Sequence, residues 1–522
     1  MGVGMRRVKF LVCSLAVIVA FSLATSAAAA QESCDHLKSL KIQNVTIAST
    51  TILGPEHNLV IPVPASPFAK AHTLRVSTPM CRVTAYATPT SDSHIDFEVW
   101  MPAASAWNHK YEGVGNGGFI GAIDFDEMVA GFARGYSVAG TDTGHKGIDE
   151  KWALGHTQKM IDWSYRAVHL MTRASKQIVK AYYGTPAKLA YWDGCSTGGK
   201  QGLTEAQKYP DDYDAIVAGA PANYITHLQA GAEYLSWVSL KDGTNGPAYI
   251  PPSKYPAIHD AALAACDAMD GVKDGVIEDP MLCHFNPRVI ECKGADGADC
   301  LTAAQVKTAQ TIYAGAKWAD GKQIFPGLEP GTELDWKMMV GGPKPGGISN
   351  GFFQYMVFDN PNWDFRTFNL DRDTRLADKK LGWMMNAIDP NLEAFEAHGG
   401  KLVMYDGWAD QLIAPQNGVN YYTSVVSKMG GLQKTQQFAR LFMVPGMKHC
   451  QGGVGPTDFD PLTAVEKWRE QGTAPTKIIA SKSVAGKVVE TRPLCPYPQA
   501  AIYKGSGDTN TAASFVCGNP KW

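Results

Sequence analysis

Hydrophobic residues recur along this chain in two alternating patterns, which predict short strands separated by amphipathic helices. Residues 97–101 alternate between apolar and polar and stop at Pro102, as a strand does. From Trp163 to Ala181, apolar residues recur at spacings of three and four, and Gly184 ends the predicted helix. Strands that alternate with helices favour an α/β fold, in which a mostly parallel sheet is covered on both faces.

The same alternation continues at two places further along the chain. Strands are predicted at 189–192 and 215–218, with a helix at 200–209 between them, and again at 401–405 and 441–444. The interval that separates these two places is far longer than an ordinary connection between strands.

That interval, residues 223–390, differs in composition from its flanks. It is rich in Pro, Gly and Trp, and a run of Gly, Pro and Lys at 341–347 interrupts regular structure. A tract of this length between two strands of one sheet predicts an inserted lid domain. We therefore expect a catalytic domain in two parts, 31–222 and 391–522.

The first thirty residues have the pattern of a signal peptide. Basic residues at positions 6, 7 and 9 precede an apolar run at 10–23, and three alanines end the segment at position 30. An uncleaved membrane anchor is the alternative, but the apolar run is short for a membrane span and has no charged stop. We predict that residues 1–30 are removed on export.

Composition and charge narrow the class of protein. Of 522 residues, 45% are apolar and 19% are charged, which is a globular balance. The net charge of −2 becomes −5 once residues 1–30 are removed, and no basic stripe suggests a nucleic-acid partner. Beyond residue 30 no apolar run is long enough to span a bilayer. We expect a soluble exported protein.

Ten cysteines remain in the mature chain. An even number in an oxidising compartment favours disulfides over zinc, and the sequence contains neither a CxxC pair nor an HExxH motif. The cysteines are Cys34, Cys81, Cys195, Cys266, Cys283, Cys292, Cys300, Cys450, Cys495 and Cys517.

A G-x-S-x-G motif marks a candidate nucleophile. The motif occurs twice, at 194–198 and 347–351, so its presence alone is weak evidence. Only the first copy follows a predicted strand and opens a helix, which is the setting of a nucleophile elbow. There the hydroxyl of Ser196 lies at a helix N-terminus, beside the backbone N–H of Thr197 that is placed to hold an oxyanion. An ordinary N-cap serine is the alternative.

A serine nucleophile needs a base that a carboxylate orients, and in α/β-hydrolases the chain order is Ser, acid, His. Asp406 and Asp410 follow the predicted strand at 401–405, and His449 follows the strand at 441–444. Both fall at the carboxyl ends of strands, where open α/β sheets place their sites. The two aspartates compete for the acid role. A turn aspartate and a surface histidine are the alternatives.

Two cysteines stand directly beside the candidate nucleophile and base. Cys195 precedes Ser196, and Cys450 follows His449. A bridge between these cysteines would hold the hydroxyl and the imidazole within reach of each other. This joint pattern favours a Ser-His-Asp triad.

Several motifs together resemble one known family. They are GNGG at 115–118, GTDTGH at 140–145, GCSTGG at 194–199, an acidic loop at 267–279, GWAD at 407–410 and KHC at 448–450. On these motifs the whole mature chain resembles the tannase and feruloyl esterase family, which also contains the bacterial monohydroxyethyl terephthalate hydrolase. The resemblance implies an α/β-hydrolase fold with a large inserted lid that sets substrate choice.

The resemblance also implies roles for individual residues. Ser196 would be the nucleophile, Asp410 the acid and His449 the base. The oxyanion hole would be formed by backbone N–H groups of Thr197 and of the turn at Gly117 and Gly118. Many relatives have histidine near the substrate at the position of Asp406, so this departure leaves the fine specificity open.

The acidic loop is the candidate metal site. Its spacing is not that of an EF-hand, and a solvated acidic turn is the alternative. The resemblance implies a structural Ca²⁺ held by three carboxylates and two carbonyls, those of Asp267, Asp270, Asp274, Val272 and Val276. It also implies five disulfides: Cys34–Cys81, Cys195–Cys450, Cys266–Cys283, Cys292–Cys300 and Cys495–Cys517.

Aromatic residues of the predicted lid are candidates for stacking on a planar acyl group, although such residues are more often core. They are Trp336, Phe352, Phe353, Tyr355, Phe358 and Trp363. The predicted substrate contacts are Asp406, Phe352, Phe353 and Trp363.

The predicted function is that of a secreted or periplasmic serine carboxylesterase without an organic cofactor. Its small-molecule substrates would be esters of hydroxycinnamic or gallic acids. The alternatives are a hydrolase of synthetic half-esters such as monohydroxyethyl terephthalate, and a non-catalytic binding module on a hydrolase scaffold.

Overall fold

The structure is a computed structural model, and it describes residues 1–2, 34–54, 57–65 and 70–521. Beyond its first two residues, the predicted signal peptide lies outside the described residues.

The described strands are β1 Val45–Leu53, β2 Leu59–Val63, β3 His72–Val76, β4 Met80–Ala87, β5 Ile95–Pro102, β6 Lys110–Val114, β7 Ser137–Thr141, β8 Leu189–Cys195, β9 Ala215–Gly219, β10 Ala316–Lys317, β11 Gln323–Phe325, β12 Lys401–Gly407, β13 Ala439–Val444, β14 Ile478–Val484, β15 Lys487–Leu494, β16 Ala500–Tyr503 and β17 Phe515–Gly518. The described α-helices are α1 Phe125–Ala133, α2 Thr157–Ile161, α3 Ala167–Tyr183, α4 Thr197–Lys208, α5 Ile225–Leu240, α6 Tyr255–Cys266, α7 Ala303–Ala314, α8 Lys337–Val340, α9 Gly347–Gly351, α10 Leu370–Ala377, α11 Trp383–Met385, α12 Glu393–Ala397, α13 Gln416–Lys428, α14 Leu432–Thr435 and α15 Pro461–Gln471.

A nine-stranded sheet organises the described part of the chain. Its strand order is β1-β4-β5-β7-β6-β8-β9-β12-β13. The pairs from β7 to β13 are parallel, whereas β1, β4, β5 and β7 pair with one another antiparallel. The predicted α/β fold with a mostly parallel sheet is therefore confirmed.

Successive residues of the central strands enter two different cores. Tyr191 packs into the core that α1 and α15 cover, and Trp192 packs into the core that α3 and α13 cover. Because both faces of the sheet are covered, the central strands read as continuous apolar runs rather than alternating ones. Because β8, β9, β12 and β13 pair in parallel, the carboxyl ends of β8, β12 and β13 lie along one edge of the sheet.

The predicted elements are all present, with shifted ends. The helix predicted from Trp163 begins as a π-helical turn at Asp162–Arg166, continues as α3 and stops at Gly184, whose φ is +72°. The helix predicted at 200–209 begins at Thr197, because the tight turn after β8 continues directly into it. The strand predicted at 97–101 is longer at both ends.

The chain between β9 and β12 adds no strand to the nine-stranded sheet in the described residues. It forms mostly short helices with the small β10–β11 hairpin. Its apolar core, around Trp336 and Phe352, also includes Phe119 and Trp163 from outside the segment. We call this segment, between Gly219 and Lys401, the insertion. It contains the predicted lid at 223–390, whose boundaries stay a prediction.

Five disulfides join the ten cysteines of the described residues. The pairs are Cys34–Cys81, Cys195–Cys450, Cys266–Cys283, Cys292–Cys300 and Cys495–Cys517, the same five that the family resemblance implies. None of the helices described here is both long and apolar enough to cross a bilayer.

Candidate active site

Ser196 occupies a sharp turn between β8 and α4. Its backbone has φ +63° and ψ −120°, a conformation that costs a non-glycine residue free energy and that typically persists at functional sites. The turn is held by two backbone hydrogen bonds: the Ser196 N–H donates to the Gly219 carbonyl, and the Ala222 N–H donates to the Ser196 carbonyl. This is the strand–turn–helix geometry of a nucleophile elbow.

Three glycines allow the backbone to approach itself at this turn. A Cβ atom on Gly115 would lie 2.5 Å from the Cα of Gly198, and one on Gly194 would lie 2.9 Å from the same atom. Any side chain at these two positions would push the start of α4 away from β6 and β8. The close approach therefore requires glycine at 115 and 194.

His449 is oriented by a buried carboxylate. Its Nδ1 lies 2.7 Å from Oδ2 of Asp410, and the Asp410 side chain is fully buried. The other oxygen of Asp410 accepts the backbone N–H groups of Leu412 at 2.8 Å and Ile413 at 2.9 Å. With both oxygens hydrogen-bonded, this carboxylate has the partners that a buried charge needs. The backbone N–H of His449 also donates to the side chain of Gln411.

A disulfide connects the elbow to the histidine loop. The bridge joins Cys195 to Cys450 across 255 residues of chain, and the two Cα atoms lie 5.9 Å apart. Ser196 and His449, which stand next to these cysteines, line the same cavity. The structure therefore brings together the three residues that the sequence singled out as a triad.

The cavity lies between the insertion and the loops that follow the strands of the nine-stranded sheet. Most of its lining is apolar, including Phe119, Ile225, Leu228, Met338, Leu412 and Ile413. Gln229 and Ser349 add polar side chains from the insertion. Among the described lining residues none is Lys, Arg, Asp or Glu. A cavity of this kind suits an apolar planar group with a few hydrogen-bonding substituents.

The predicted oxyanion-hole segments meet at this cavity. Thr197 and Gly118 both line it, and the Thr197 hydroxyl donates a 2.9 Å hydrogen bond to the Gly118 carbonyl. The indole N–H of Trp163, in the π-helical turn that precedes α3, donates to the same carbonyl. These bonds fix the turn at Gly117 and Gly118 against the start of α4.

Asp406 lies outside the cavity lining that the described residues form. Its side chain is fully buried, both carboxylate oxygens lack a hydrogen-bond partner in the described residues, and one of them faces Gly418. Burial, together with the nearby charge of Asp410, raises the pKa of Asp406 well above its ordinary value. The predicted substrate contact at Asp406 therefore has no support in the cavity geometry.

The predicted aromatic contacts lie in the core of the insertion. Phe352 and Phe353 are fully buried, and Trp363 packs against Phe353 at 5.6 Å between ring centroids. None of the three is among the described residues that line the cavity; instead Phe119 does, with Phe352 stacked behind it at 6.2 Å. No signal in the sequence points to Phe119, because an aromatic residue that follows GNGG is equally typical of a core position.

The second G-x-S-x-G copy is not an elbow. Residues 347–351 form the short helix α9 rather than a turn after a strand. Ser349 nevertheless lines the cavity, and its hydroxyl donates a 2.8 Å hydrogen bond to Oε2 of Glu233. No strand is predicted before this second copy, so its place in the cavity was not predicted from the sequence.

The acidic loop fastens the insertion to the C-terminal strands. Oδ1 of Asp267 accepts the backbone N–H groups of Asp274 and Gly275, and Arg492 pairs with Asp274 at 2.7 Å. Burial and the charge of Asp274 raise the pKa of Asp270 to about 6. Burial is the larger of these two causes, and the nearby negative charge of Asp274 is the part that a bound cation would offset. Carboxylate and carbonyl oxygens are also the donors that Ca²⁺ prefers.

In the described residues, two groups of three side chains have metal-ligating atoms within 4.8 Å of one another, and the side chains of the acidic loop do not form such a group. One consists of Cys292, Asp296 and Cys300, whose two cysteines are joined in a disulfide. The other consists of His169, Glu205 and Asp212. The described residues therefore contain possible metal-binding groups.

The sheet, the elbow after β8 and the loops after β12 and β13 define the α/β-hydrolase class. A family model described as tannase and feruloyl esterase matches residues 81–518. An uncharacterized esterase of Xanthomonas campestris pv. campestris is 38% identical over 98% of this chain and 94% of its own. A probable feruloyl esterase B of Aspergillus clavatus is 33% identical over 93% of this chain and 95% of its own.

A solved structure gives the same result. Feruloyl esterase B from Aspergillus oryzae superposes with a TM-score of 0.87 at 28% identity, covering 94% of this chain and all of its own. The chain belongs to the tannase and feruloyl esterase family, and it is a carboxylic ester hydrolase.

Proposed function

We propose that this protein is an exported serine esterase that hydrolyses esters of hydroxylated aromatic acids. Ser196 is the nucleophile, His449 the general base and Asp410 the carboxylate that orients the histidine. The observation that carries the proposal is the 2.7 Å hydrogen bond from His449 to buried Asp410, in a cavity that a strained Ser196 also lines. Asp410 rather than Asp406 takes the acid role because only Asp410 contacts the histidine.

The reaction proceeds by two acyl transfers. The Ser196 hydroxyl attacks the ester carbonyl while His449 takes its proton, and the tetrahedral oxyanion accepts hydrogen bonds from backbone N–H groups of Thr197 and the Gly117–Gly118 turn. His449 then protonates the leaving alcohol. Water, deprotonated by His449, attacks the acyl-enzyme, and the acid is released as His449 returns the proton to the Ser196 oxygen. Asp410 stabilises the imidazolium in both halves.

The cavity favours an aromatic acyl group without a free carboxylate. Its apolar lining suits a ring, and relatives bear the name feruloyl esterase. A half-ester such as monohydroxyethyl terephthalate carries a second carboxylate, which is costly to bury where no cationic side chain lines the cavity in the described residues. The half-ester alternative is therefore disfavoured, and a non-catalytic module is disfavoured because all three triad residues are present.

We further propose that the predicted lid, 223–390, shapes substrate choice, since the described cavity takes residues from α5, α8 and α9 as well as from the catalytic part. In the acidic loop, Asp267, Asp270, Asp274 and the carbonyls of Val272 and Val276 would hold Ca²⁺. The ion would offset the negative charge of the loop's carboxylates, and it would take no part in the reaction. Export rests on the signal-peptide pattern at 1–30 and on the five disulfides.

The test is a comparison of kcat/KM for methyl ferulate, methyl gallate and monohydroxyethyl terephthalate. We expect one of the two methyl esters to be preferred over the half-ester, and Ser196→Ala to abolish hydrolysis of all three. Ser239→Ala, at a buried serine outside the described cavity lining, is the control and should stay active. Unchanged hydrolysis by Ser196→Ala would refute the proposal, and a preference for the half-ester would refute its substrate class.

A further inference from the structure

A buried serine–glutamate pair in the insertion reaches the cavity without being part of the triad. Ser349, on α9, lines the cavity, and its hydroxyl donates to Oε2 of Glu233 at 2.8 Å. Glu233 lies on α5, is fully buried and is not among the described residues that line the cavity. Gln229, one helical turn earlier, lines the cavity. The pair thus presents only the serine oxygen to a ligand.

The direction of these hydrogen bonds determines what the serine oxygen can accept. A carboxylate only accepts, so the single proton of the Ser349 hydroxyl is used by Glu233. The second contact of this hydroxyl is with the carbonyl of Gly346 at 3.3 Å, and a carbonyl also only accepts. Burial raises the pKa of Glu233 to about 7. When Glu233 is protonated and donates to Ser349, the Gly346 carbonyl still takes the serine proton.

In either protonation state, the Ser349 oxygen therefore offers a lone pair to the cavity. The other oxygen of Glu233, Oε1, is also buried, and in the described part of the chain no donor meets full hydrogen-bond geometry with it, although the Asn350 side chain lies near enough to Glu233 to oppose the rise in its pKa. This corner of the cavity has more acceptors than donors. A buried acceptor without a partner is unfavourable, so the complementary ligand group is a hydrogen-bond donor.

We propose that Ser349, positioned by Glu233, accepts a hydrogen bond from a hydroxyl group on the aromatic ring of the substrate and selects phenolic acyl groups. This inference rests on the proposed function and adds the group that reads the ring. A phenol hydroxyl donates to the serine oxygen, whereas a methoxy group or a carboxylate at the same ring position places an acceptor against an acceptor. The pair also disfavours the half-ester, because Glu233 adds negative charge behind the serine.

The experiment compares three methyl esters that differ at one ring position: 4-hydroxycinnamate, unsubstituted cinnamate and 4-methoxycinnamate. With wild-type protein at about pH 8, above the value for Glu233, kcat/KM should favour the hydroxy ester over the methoxy ester by at least about tenfold. Ser349→Ala should bring this ratio to within about threefold of unity and leave the unsubstituted ester nearly unaffected. Glu233→Gln should lower the ratio by a smaller factor, because an amide can also donate to Ser349.

Ser239→Ala is the matched control, since Ser239 is a buried serine on α5, the helix of Glu233, and lies outside the described cavity lining. It should keep the wild-type ratio. Equal kcat/KM for all three esters with wild-type protein would overturn the inference while the esterase stands. A ratio that Ser349→Ala leaves unchanged would overturn it as well. Failure of the proposed function appears differently, as hydrolysis that survives Ser196→Ala.

Discussion

The turn that holds Ser196 depends on the absence of side chains around it. Gly115, directly after β6, lies against the start of α4. A Cβ on Gly115 would come within 2.5 Å of the Cα of Gly198. A backbone atom cannot turn aside as a flexible side chain can, so the added methyl group must displace the elbow. The residues beside the proposed nucleophile are thus restricted by space as well as by chemistry.

Gly115→Ala is therefore expected to lower both stability and activity. We predict a destabilisation of about 2–4 kcal/mol, seen as a lower Tm, together with a large fall in kcat. Gly294→Ala is the control, because a Cβ there meets no atom within 4 Å. A Gly115→Ala protein with wild-type Tm and kcat would show that the close approach is not required.

Asp406 makes a prediction about pH. Because burial raises its pKa in the folded protein, the folded state holds this proton to a higher pH than the unfolded chain does. Asp406 therefore lowers stability progressively as the pH rises above about 4, the ordinary pKa of an aspartate. Asp406→Asn removes this effect.

The Tm of Asp406→Asn relative to wild type should increase between about pH 5 and pH 8, by roughly a few degrees. Asp211→Asn, at an exposed aspartate, should show no such increase. The measurement is differential scanning fluorimetry at several pH values. A constant difference across this range would mean that Asp406 titrates normally.

At the scale of elements, two loops far apart in sequence meet through one covalent bond. The Cys195–Cys450 bridge ties the elbow after β8 to the loop after β13. Without the bridge, the position of Ser196 relative to His449 should vary more, whereas the apolar cavity should change little. We predict that Cys195→Ala with Cys450→Ala lowers kcat by about 10- to 100-fold with a smaller change in KM.

The control for this double variant is Cys292→Ala with Cys300→Ala, which removes a bridge across only 8 residues of the insertion. That variant should keep its kcat. If the Cys195–Cys450 double variant also keeps a wild-type kcat, the bridge does not position the two catalytic side chains.

The acidic loop makes a prediction about metal removal. If Asp267, Asp270 and Asp274 hold Ca²⁺, chelation should lower the Tm of the full-length protein by several degrees, and added Ca²⁺ should restore it. Asp270→Ala should lose this response, whereas Asp320→Ala, at an exposed aspartate of the insertion, should keep it. A wild-type Tm that chelation leaves unchanged would contradict the calcium proposal.

The elements that position the site were predictable because they are buried on both faces or strongly amphipathic. The strands that precede Ser196, Asp410 and His449 are apolar runs, and all three strands were predicted from the sequence. The antiparallel strand β1 and the C-terminal hairpin β14–β15 were not predicted, because their alternation is irregular and partly exposed. Strand β4 was also missed, although buried and half-buried residues alternate along it. The start of α4 was placed three residues late, because Gly198 and Gly199 lie in its first turn, where glycine disfavours a helix.

At the scale of the whole molecule, the sequence could not reveal which residues form the cavity. Its lining comes from the GNGG turn, the elbow, α5, α8, α9 and the loops after β12 and β13. Only the tertiary fold brings these segments together, so aromatic character alone selected Phe352, Phe353 and Trp363, which proved to be core. Motifs located the chemistry, and packing decided the contacts.

The central claim is that His449 and Asp410 activate the hydroxyl of Ser196. A fluorophosphonate probe reports this directly, because it reacts with an activated serine and its position can be mapped by peptide mass spectrometry. We predict one label per chain, on the peptide that contains Ser196, and its loss in His449→Ala protein that remains folded. A label on a different residue, or an unlabelled Ser196 in protein that hydrolyses esters, would contradict the claim.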